Sequence, residues 1–398
     1  MHSRLVLCLD GTWNSPFKPV TRDDGSKVLK PTNPLKLARA VRPVDDAGAR
    51  QLTYYDSGIG ALGVYPGKSN AILSFFDSKL GGMFGAGFEA NVEEAASFLA
   101  LNYTPGDHVF VFGFSRGAAQ ARALSNFLSW MGGIPPKDDA YYVPLFFRHY
   151  LKARGNGAPS DVKNSDGTTP AAQILPLYTT LLGVWDTVMA LGSRLNATAG
   201  TSVKGRAFHI KARPAPIVRH AYQALAIDEK RYDFRPEVWL GAETGQTLKQ
   251  RWFPGAHGNV GGSYRYDGLA NGTLHWIAEA ASALGLALDT RFLQNYRPFA
   301  QDHLGDTHDL FYRVGEAARF MLGKGARAMN DYPDAANLDI DASVIKRFAS
   351  DHNKFPRMDG PYRPAPVVER LEQERNRWPE FLSEFKLDPD TYPFPSDV

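Results

Sequence analysis

The run Leu5-Val6-Leu7-Cys8-Leu9 is unbroken in its apolar character and stops at Asp10-Gly11. That is the pattern of a strand buried on both faces entering a turn. Thr32-Asn33-Pro34 then predicts a helix start running through Val41, and 51–55 reads as a second strand ending at Asp56-Ser57-Gly58. From Phe88 the residues Val92, Ala95, Ala96 and Leu99 recur at helical spacing, until Thr104-Pro105-Gly106-Asp107 breaks the pattern before a strand over 108–112. After Arg116 a helix is predicted through Ala118, Ala121, Leu124, Phe127 and Leu128, closed by Gly132-Gly133. Runs at 179–185 and 250–253 complete at least five strands interleaved with helices. The expected fold class is α/β with a mostly parallel sheet flanked by helices.

The segments 153–172 and 193–216 are polar and rich in Gly, Ser, Asn and Pro, and read as surface insertions in one core rather than as linkers. Beyond about residue 285 the alternation weakens, with helical stretches at 313–322 and 367–377 between Pro-rich loops and no internal repeat. The expected organisation is a catalytic core over 1–284 and a helical extension over 285–398 packed on it.

With 398 residues the chain suits one large α/β domain with insertions, or two to three domains. The 37 glycines and 27 prolines add loops to that picture. A formal charge of +3 gives no basic field to argue for nucleic acid. The single cysteine, Cys8, excludes an intrachain disulfide, a zinc site of several thiolates and a Cys-x-x-Cys redox pair. The apolar run 5–9 is shorter than the roughly 7–15 residues of a signal-peptide core. The longest apolar stretch, 280–288, is about half the ~20 residues of a membrane span. A soluble, cytoplasmic-type protein is expected, with signal-independent secretion the export route left open.

Gly113-Phe114-Ser115-Arg116-Gly117 matches G-x-S-x-G between a predicted strand and a predicted helix. The two glycines relieve crowding where a strained serine projects above the carboxyl edge of a sheet. The Arg116 amide would then lie at a helix start, where free N–H groups and the helix dipole favour developing negative charge. A serine of this kind needs a base and an orienting acid, in the chain order Ser, Asp or Glu, His. Gly183-Val184-Trp185-Asp186-Thr187-Val188 puts Asp186 at a strand end, and Trp252-Phe253-Pro254-Gly255-Ala256-His257 puts His257 just after another strand. Asp186 equally suits a helix N-cap, and most of the ten histidines must be structural or solvated.

Five segments carry a family resemblance: Leu7 to Asn14 (Leu-Cys-Leu-Asp-Gly-Thr-Trp-Asn), Tyr55-Asp56-Ser57-Gly58-Ile59-Gly60, Gly113 to Ala119, Gly183 to Val188 and Trp252 to Tyr264. In this order they resemble the bacterial and fungal family of an uncharacterised α/β-hydrolase domain whose best-known members are phospholipase effectors of type VI secretion systems. The resemblance covers about two thirds of the chain, residues 5–264, and implies an α/β-hydrolase-like fold. It implies acyl-ester hydrolysis, with phospholipid as substrate in the effectors, and a triad on Ser115, Asp186 and His257. One departure stands beside the histidine: the family's His-Ser-Asp-Val-Gly-Gly-Gly-Tyr is here His257-Gly258-Asn259-Val260-Gly261-Gly262-Ser263-Tyr264, with Asn259 in place of the carboxylate.

The oxyanion that such a reaction develops needs two donors. Arg116 is expected to supply one amide, and Gly11 or Thr12 the other, because the loop after the first strand lies beside the nucleophile turn in a parallel sheet. Asp10-Gly11 serves an ordinary turn equally well. Cys8, standing where an Asp-x-Asp-Gly-Thr phosphatase has its first Asp, excludes that chemistry.

Residues 57–87 hold eight glycines among Ile72, Leu73, Phe75, Phe76, Leu80, Met83 and Phe84. They read either as a lid or acyl-chain pocket that brings Phe75 and Phe76 to substrate, or as a core-packed helix with glycine-rich flanks. Asp10, Asp56 and Asn259 bring oxygens to the predicted active edge without metal-ligand spacing, so neither metal nor cofactor is expected. The expected partner is an acyl-ester or lipid substrate, with peripheral membrane contact and no nucleic acid. Thioester, small-ester or peptide hydrolysis by the same triad, and non-catalytic binding on a hydrolase scaffold, are the other readings.

Overall fold

The structure is a computed structural model, described over residues 2–11, 19–21, 25–29, 31–58, 81–189, 209–231, 234–264, 266–299, 327, 332, 335–348, 362–392 and 394. In β1 (Arg4–Leu9), Leu5, Leu7 and Leu9 enter one apolar cluster while Val6 and Cys8 enter another on the opposite face. The period of two buries every side chain after Arg4, which is why the sequence shows a continuous apolar run instead of an alternation. A short antiparallel pair, β2 (Pro19–Thr21) and β3 (Lys27–Leu29), stands apart from the main sheet. Thr32 precedes α1 (Asn33–Ala40), with Pro34 in its first turn, where the missing N–H is no loss. β4 (Gln51–Asp56) then pairs with β1.

α2 (Gly81–Asn102) directs Phe88, Val92, Ala95, Ala96 and Leu99 into the first cluster, as their spacing predicts. β5 (His108–Phe114) runs into α3 (Arg116–Met131), which ends at Gly132 with φ 78°, a left-handed cap that suits glycine. α4 (Val143–Lys152) follows, then β6 (Thr179–Trp185), β7 (Val218–Ala226) and β8 (Thr247–Phe253). α5 (His257–Gly261), α6 (Gly268–Ala283), α7 (Thr290–Leu293), β9 (Leu338–Ile340), α8 (Ala342–Phe348), α9 (Ala365–Gln373) and α10 (Trp378–Glu384) complete the described strands and α-helices.

The main sheet has seven strands in the order β4-β1-β5-β6-β7-β8-β9, every neighbouring pair parallel. Helices α2, α3 and α4 cover one face, and α1 and α6 the other. The chain turns outward from β1 to β4 and then the opposite way through β5, so the carboxyl ends of β1 and β5 frame the topological switch point, where open α/β sheets bind ligands.

Two strands of this sheet exceed the sequence reading. β7 carries Arg219, His220 and Gln223 among its apolar residues, and β9 is three residues long, so neither shows a strand-length apolar run. β9 and the residues after it close a third cluster, in which Ile340, Val344, Phe348, Val367, Trp378 and Leu382 pack with Leu225, Trp252 and Leu269 of the core. The stretch 153–172 is irregular apart from a 3₁₀ turn at Pro159–Asp161. The helix expected at 313–322 and the segment containing Phe75 and Phe76 lie outside the described residues. Among the described residues no helix is long and apolar enough to cross a membrane.

Candidate active site

Ser115 sits between β5 and α3 with φ 59° and ψ −122°, a backbone conformation that costs a non-glycine residue energy and that active sites characteristically store. The turn is held by its own N–H, which donates to the Trp185 carbonyl at 3.0 Å, and by its carbonyl, which accepts from Ala118 at 3.1 Å. Both flanking glycines are sterically required. A Cβ on Gly117 would overlap the Leu9 carbonyl and stand 2.6 Å from the Asp10 oxygen, and one on Gly113 would stand 2.6 Å from the Gly117 carbonyl carbon. The elbow therefore presses directly against the end of β1.

Asp186 follows Trp185, the β6 residue in register with Phe114, so it emerges beside Ser115 at the same sheet edge. It is fully buried, and its Oδ1 accepts the Ala226 N–H at 3.0 Å. Its Oδ2 lies 2.6 Å from Nδ1 of His257, the first residue of α5. An ionised carboxylate can only accept, so Nδ1 carries the proton and Nε2 is left as the basic nitrogen. The imidazole is gripped by two rings, Phe114 at 4.6 Å between centroids and Phe234 at 4.9 Å edge-on.

The charges behind this pair were not foreseen from the sequence. Arg327 reaches Asp186 with both terminal nitrogens, Nη1 to Oδ1 at 2.6 Å and Nη2 to Oδ2 at 2.9 Å. Glu229, also buried, accepts the His257 backbone N–H at 3.2 Å and is chelated by Arg231 through Nε and Nη2, each at 2.8 Å. Burial works to raise the Asp186 pKa, but Arg327 and His257 outweigh it and hold the carboxyl at about 2. Burial pushes His257 below its ordinary value against the upward pull of Asp186. The site is thus built to present a neutral imidazole oriented by an anion. No signal in the sequence near 327 marks that arginine, whose partner is 141 positions away.

The loop after β1 is organised around Asp10, which is buried and accepts from the Tyr55 hydroxyl at 2.8 Å and from Thr32 Oγ1. It also accepts the Gly11 N–H at 2.7 Å, so that amide is already engaged, while Thr12 lies outside the described residues. The Asn259 side chain caps α5, its Oδ1 accepting the Ala256 N–H at 3.0 Å. An Asp would make the same bond, so the departure from the family pattern leaves this helix end satisfied. Among the described residues no group of three or more His, Cys, Asp and Glu side chains is arranged to hold a metal ion.

A parallel seven-stranded sheet sandwiched by helices, with a serine elbow after β5 at the switch point, defines a protein of the α/β-hydrolase class. Residues 3–280 match the model of a type VI secretion system family, the phospholipase effector Tle1-like catalytic domain. The chain belongs to that family. It is 26% identical over 241 residues to the uncharacterised protein YEL023C of Saccharomyces cerevisiae, a match covering 58% of this chain and 32% of that one. An uncharacterised Pseudomonas aeruginosa protein of known crystal structure aligns at 15% identity and a TM-score of 0.44, covering 80% of this chain and 52% of its own. The Tle1 effector, solved bound to the VgrG spike of the type VI secretion system, aligns at 21% identity and a TM-score of 0.36, covering 66% and 51%. The chain thus spans about a third of the yeast relative and about half of each solved chain.

Proposed function

We propose that the protein is a serine hydrolase of carboxylic esters of the lipid class, with Ser115 as nucleophile, His257 as base and Asp186 as the acid that orients it. The observation that carries this reading is the 2.6 Å bond from Asp186 to His257 Nδ1, made beside a serine held at φ 59°. His257 Nε2 takes the Ser115 Oγ proton as Oγ adds to the ester carbonyl carbon. The tetrahedral oxyanion collapses, the alcohol leaves with the proton from the imidazolium, and water repeats the sequence on the acyl-enzyme. Asp186 stabilises the imidazolium without taking its proton.

The Arg116 amide, first in α3, is one oxyanion donor in this proposal. The second comes from the loop after β1. The Gly11 N–H would have to leave Asp10 to serve, which favours Thr12. The lipid character of the substrate, with peripheral membrane contact, rests on membership in a family of phospholipase effectors, as does secretion of the protein.

The test is hydrolysis of phosphatidylethanolamine in mixed micelles, read as fatty acid released, beside short-chain p-nitrophenyl esters and acyl thioesters. Both oxygen esters are expected to be cleaved by the wild type and by neither Ser115→Ala nor His257→Ala. Cleavage of soluble esters or thioesters with phospholipid untouched replaces the lipid reading with the small-substrate one. Folded wild type inert to all three moves the protein to non-catalytic binding.

A further inference from the structure

Outside the proposed catalytic residues, Arg327 is the described side chain most completely committed to their support. It is 3% exposed, and its two terminal nitrogens make four hydrogen bonds. Two go to the separate oxygens of Asp186, an end-on clamp that matches the planar fork of a guanidinium to a carboxylate. The other two go to backbone carbonyls: Nη1 to Ala226 at 2.7 Å and Nη2 to Phe234. Ala226 is the last residue of β7 and also donates its N–H to Asp186 Oδ1, while Phe234 carries the ring that lies edge-on to His257. One arginine thus ties together the acid, the strand beside it and the aromatic wall of the base. It lies beyond residue 280, where the match to the catalytic-domain family ends.

We infer that Arg327 is a positioning residue for the proposed reaction, fixing the plane of the Asp186 carboxylate so that Oδ2 faces His257 Nδ1, and that the catalytic unit of this chain therefore extends past its family domain into the C-terminal segment. The inference rests on the hydrolase reading above. A fully buried carboxylate has two ways to fail. It can rotate about its Cβ–Cγ bond, or it can take up a proton and turn from acceptor into donor. The clamp opposes both, the first by engaging the two oxygens at once and the second by placing a permanent cation against them. A lysine would keep the charge and lose the fork.

The cation has a second effect. With Arg327 in place the Asp186–Arg327 pair is neutral before His257 accepts a proton. The other charged groups around the imidazole among the described residues, Glu229 and Arg231 from the loop after β7, are themselves paired. Removing Arg327 leaves Asp186 as an unpaired anion beside His257, which raises the proton affinity of both. The acidic limb of the pH profile must then move upward.

The test uses the full chain and a soluble p-nitrophenyl ester, with active molecules counted by fluorophosphonate titration. Wild type, Ser115→Ala, Arg327→Gln and Arg327→Lys are compared. Arg327→Gln is expected to lower kcat per titrated site by about 10–100-fold with KM little changed, the loss that follows from a misplaced catalytic group. Its acidic limb is expected to rise by about one pH unit or more, the scale set by an opposite charge within hydrogen-bonding distance. Arg327→Lys is expected to keep the limb near its wild-type position while still losing kcat. A merely structural role lowers the count of titratable sites and leaves kcat per site and the limb unmoved, and that result overturns the inference. If Arg327→Gln yields no folded protein, Arg327→Lys decides, wild-type kcat per site overturning the positioning role. An inert wild type, or an active Ser115→Ala, brings down the hydrolase reading itself and is recognised before any Arg327 variant is assayed.

Discussion

Phe114 and His257 stand with their rings 4.6 Å apart, so the residue immediately before the proposed nucleophile packs on the proposed base. Gly261 makes the packing tight, since a Cβ there would collide with the Phe114 ring. The strand that delivers the serine thereby also sets the position of the imidazole. Phe114→Ala is expected to cost about 3–5 kcal/mol of stability, the usual range for emptying a buried aromatic site. It should also lower kcat in the protein that remains folded, while Phe114→Leu keeps more of both. Chemical denaturation beside a chromogenic ester assay checks the pair. Wild-type kcat in folded Phe114→Ala would separate the ring from the base.

Gly117→Ala tests the contact between the elbow and β1. The added methyl would meet the carbonyls of Leu9 and Asp10, backbone atoms that cannot swing aside. Overpacking of this kind costs about 1–3 kcal/mol. The expected outcome is a lower thermal midpoint together with a loss of ester hydrolysis larger than the loss of folded protein. Gly272→Ala, on α6 with open space where its Cβ would stand, is the control: it should leave hydrolysis unchanged and raise the thermal midpoint slightly, by the ~0.5–1 kcal/mol that alanine gains over glycine inside a helix.

The pH dependence follows from two depressed pKa values. Burial, acting against Asp186, holds His257 below 6.5, so the free base persists to lower pH than in an exposed histidine. The acidic limb of kcat/KM is expected below about pH 6.5. Stability moves the same way. Below 6.5 the unfolded chain binds a proton at this position that the native chain refuses, so stability falls as pH drops through that window. Asp186, at about 2 against an ordinary 3.8, adds a further loss as pH falls through that interval. A limb above about pH 7 in the wild type would contradict the geometry of the site.

Asp56 runs in the opposite direction. Burial first, then Glu94 and Asp10, raise its carboxyl to about 7, and its Oδ2 is buried without a hydrogen-bond partner among the described residues. Between 3.8 and about 7 the native state binds a proton that the unfolded chain has released, so stability declines as pH rises through that window. Asp56→Asn removes the ionisation while keeping the shape. Its thermal midpoint relative to wild type is expected to improve from about pH 4 to about pH 7 and to level off above that. A difference independent of pH would show that the carboxyl does not titrate there.

Much of the arrangement was legible because the chemistry sits at strand ends. The apolar runs 5–9, 108–112 and 179–185 mark strands with both faces buried, and each ends at or just before a residue of the proposed site or its supporting loop: Asp10, then the Ser115 turn, then Asp186. β7 was hidden by its polar residues, of which Gln223 is buried for a reason outside the strand. Gln223 bonds Thr187 Oγ1 at 2.5 Å and Gln250 Oε1 at 3.0 Å, part of an amide ladder beneath the sheet edge that no local pattern encodes. β9 is too short to show a period. Arg327 was invisible because a charged residue is presumed solvated until its partner is seen.

Whether Ser115 is an activated nucleophile is decided by intact mass after exposure to a fluorophosphonate probe, with Ser115→Ala alongside. A single adduct on the wild type, mapped to the peptide containing Ser115 and absent from the variant, is the predicted result. A folded wild type that takes no adduct, or an adduct that persists in Ser115→Ala, would contradict that role.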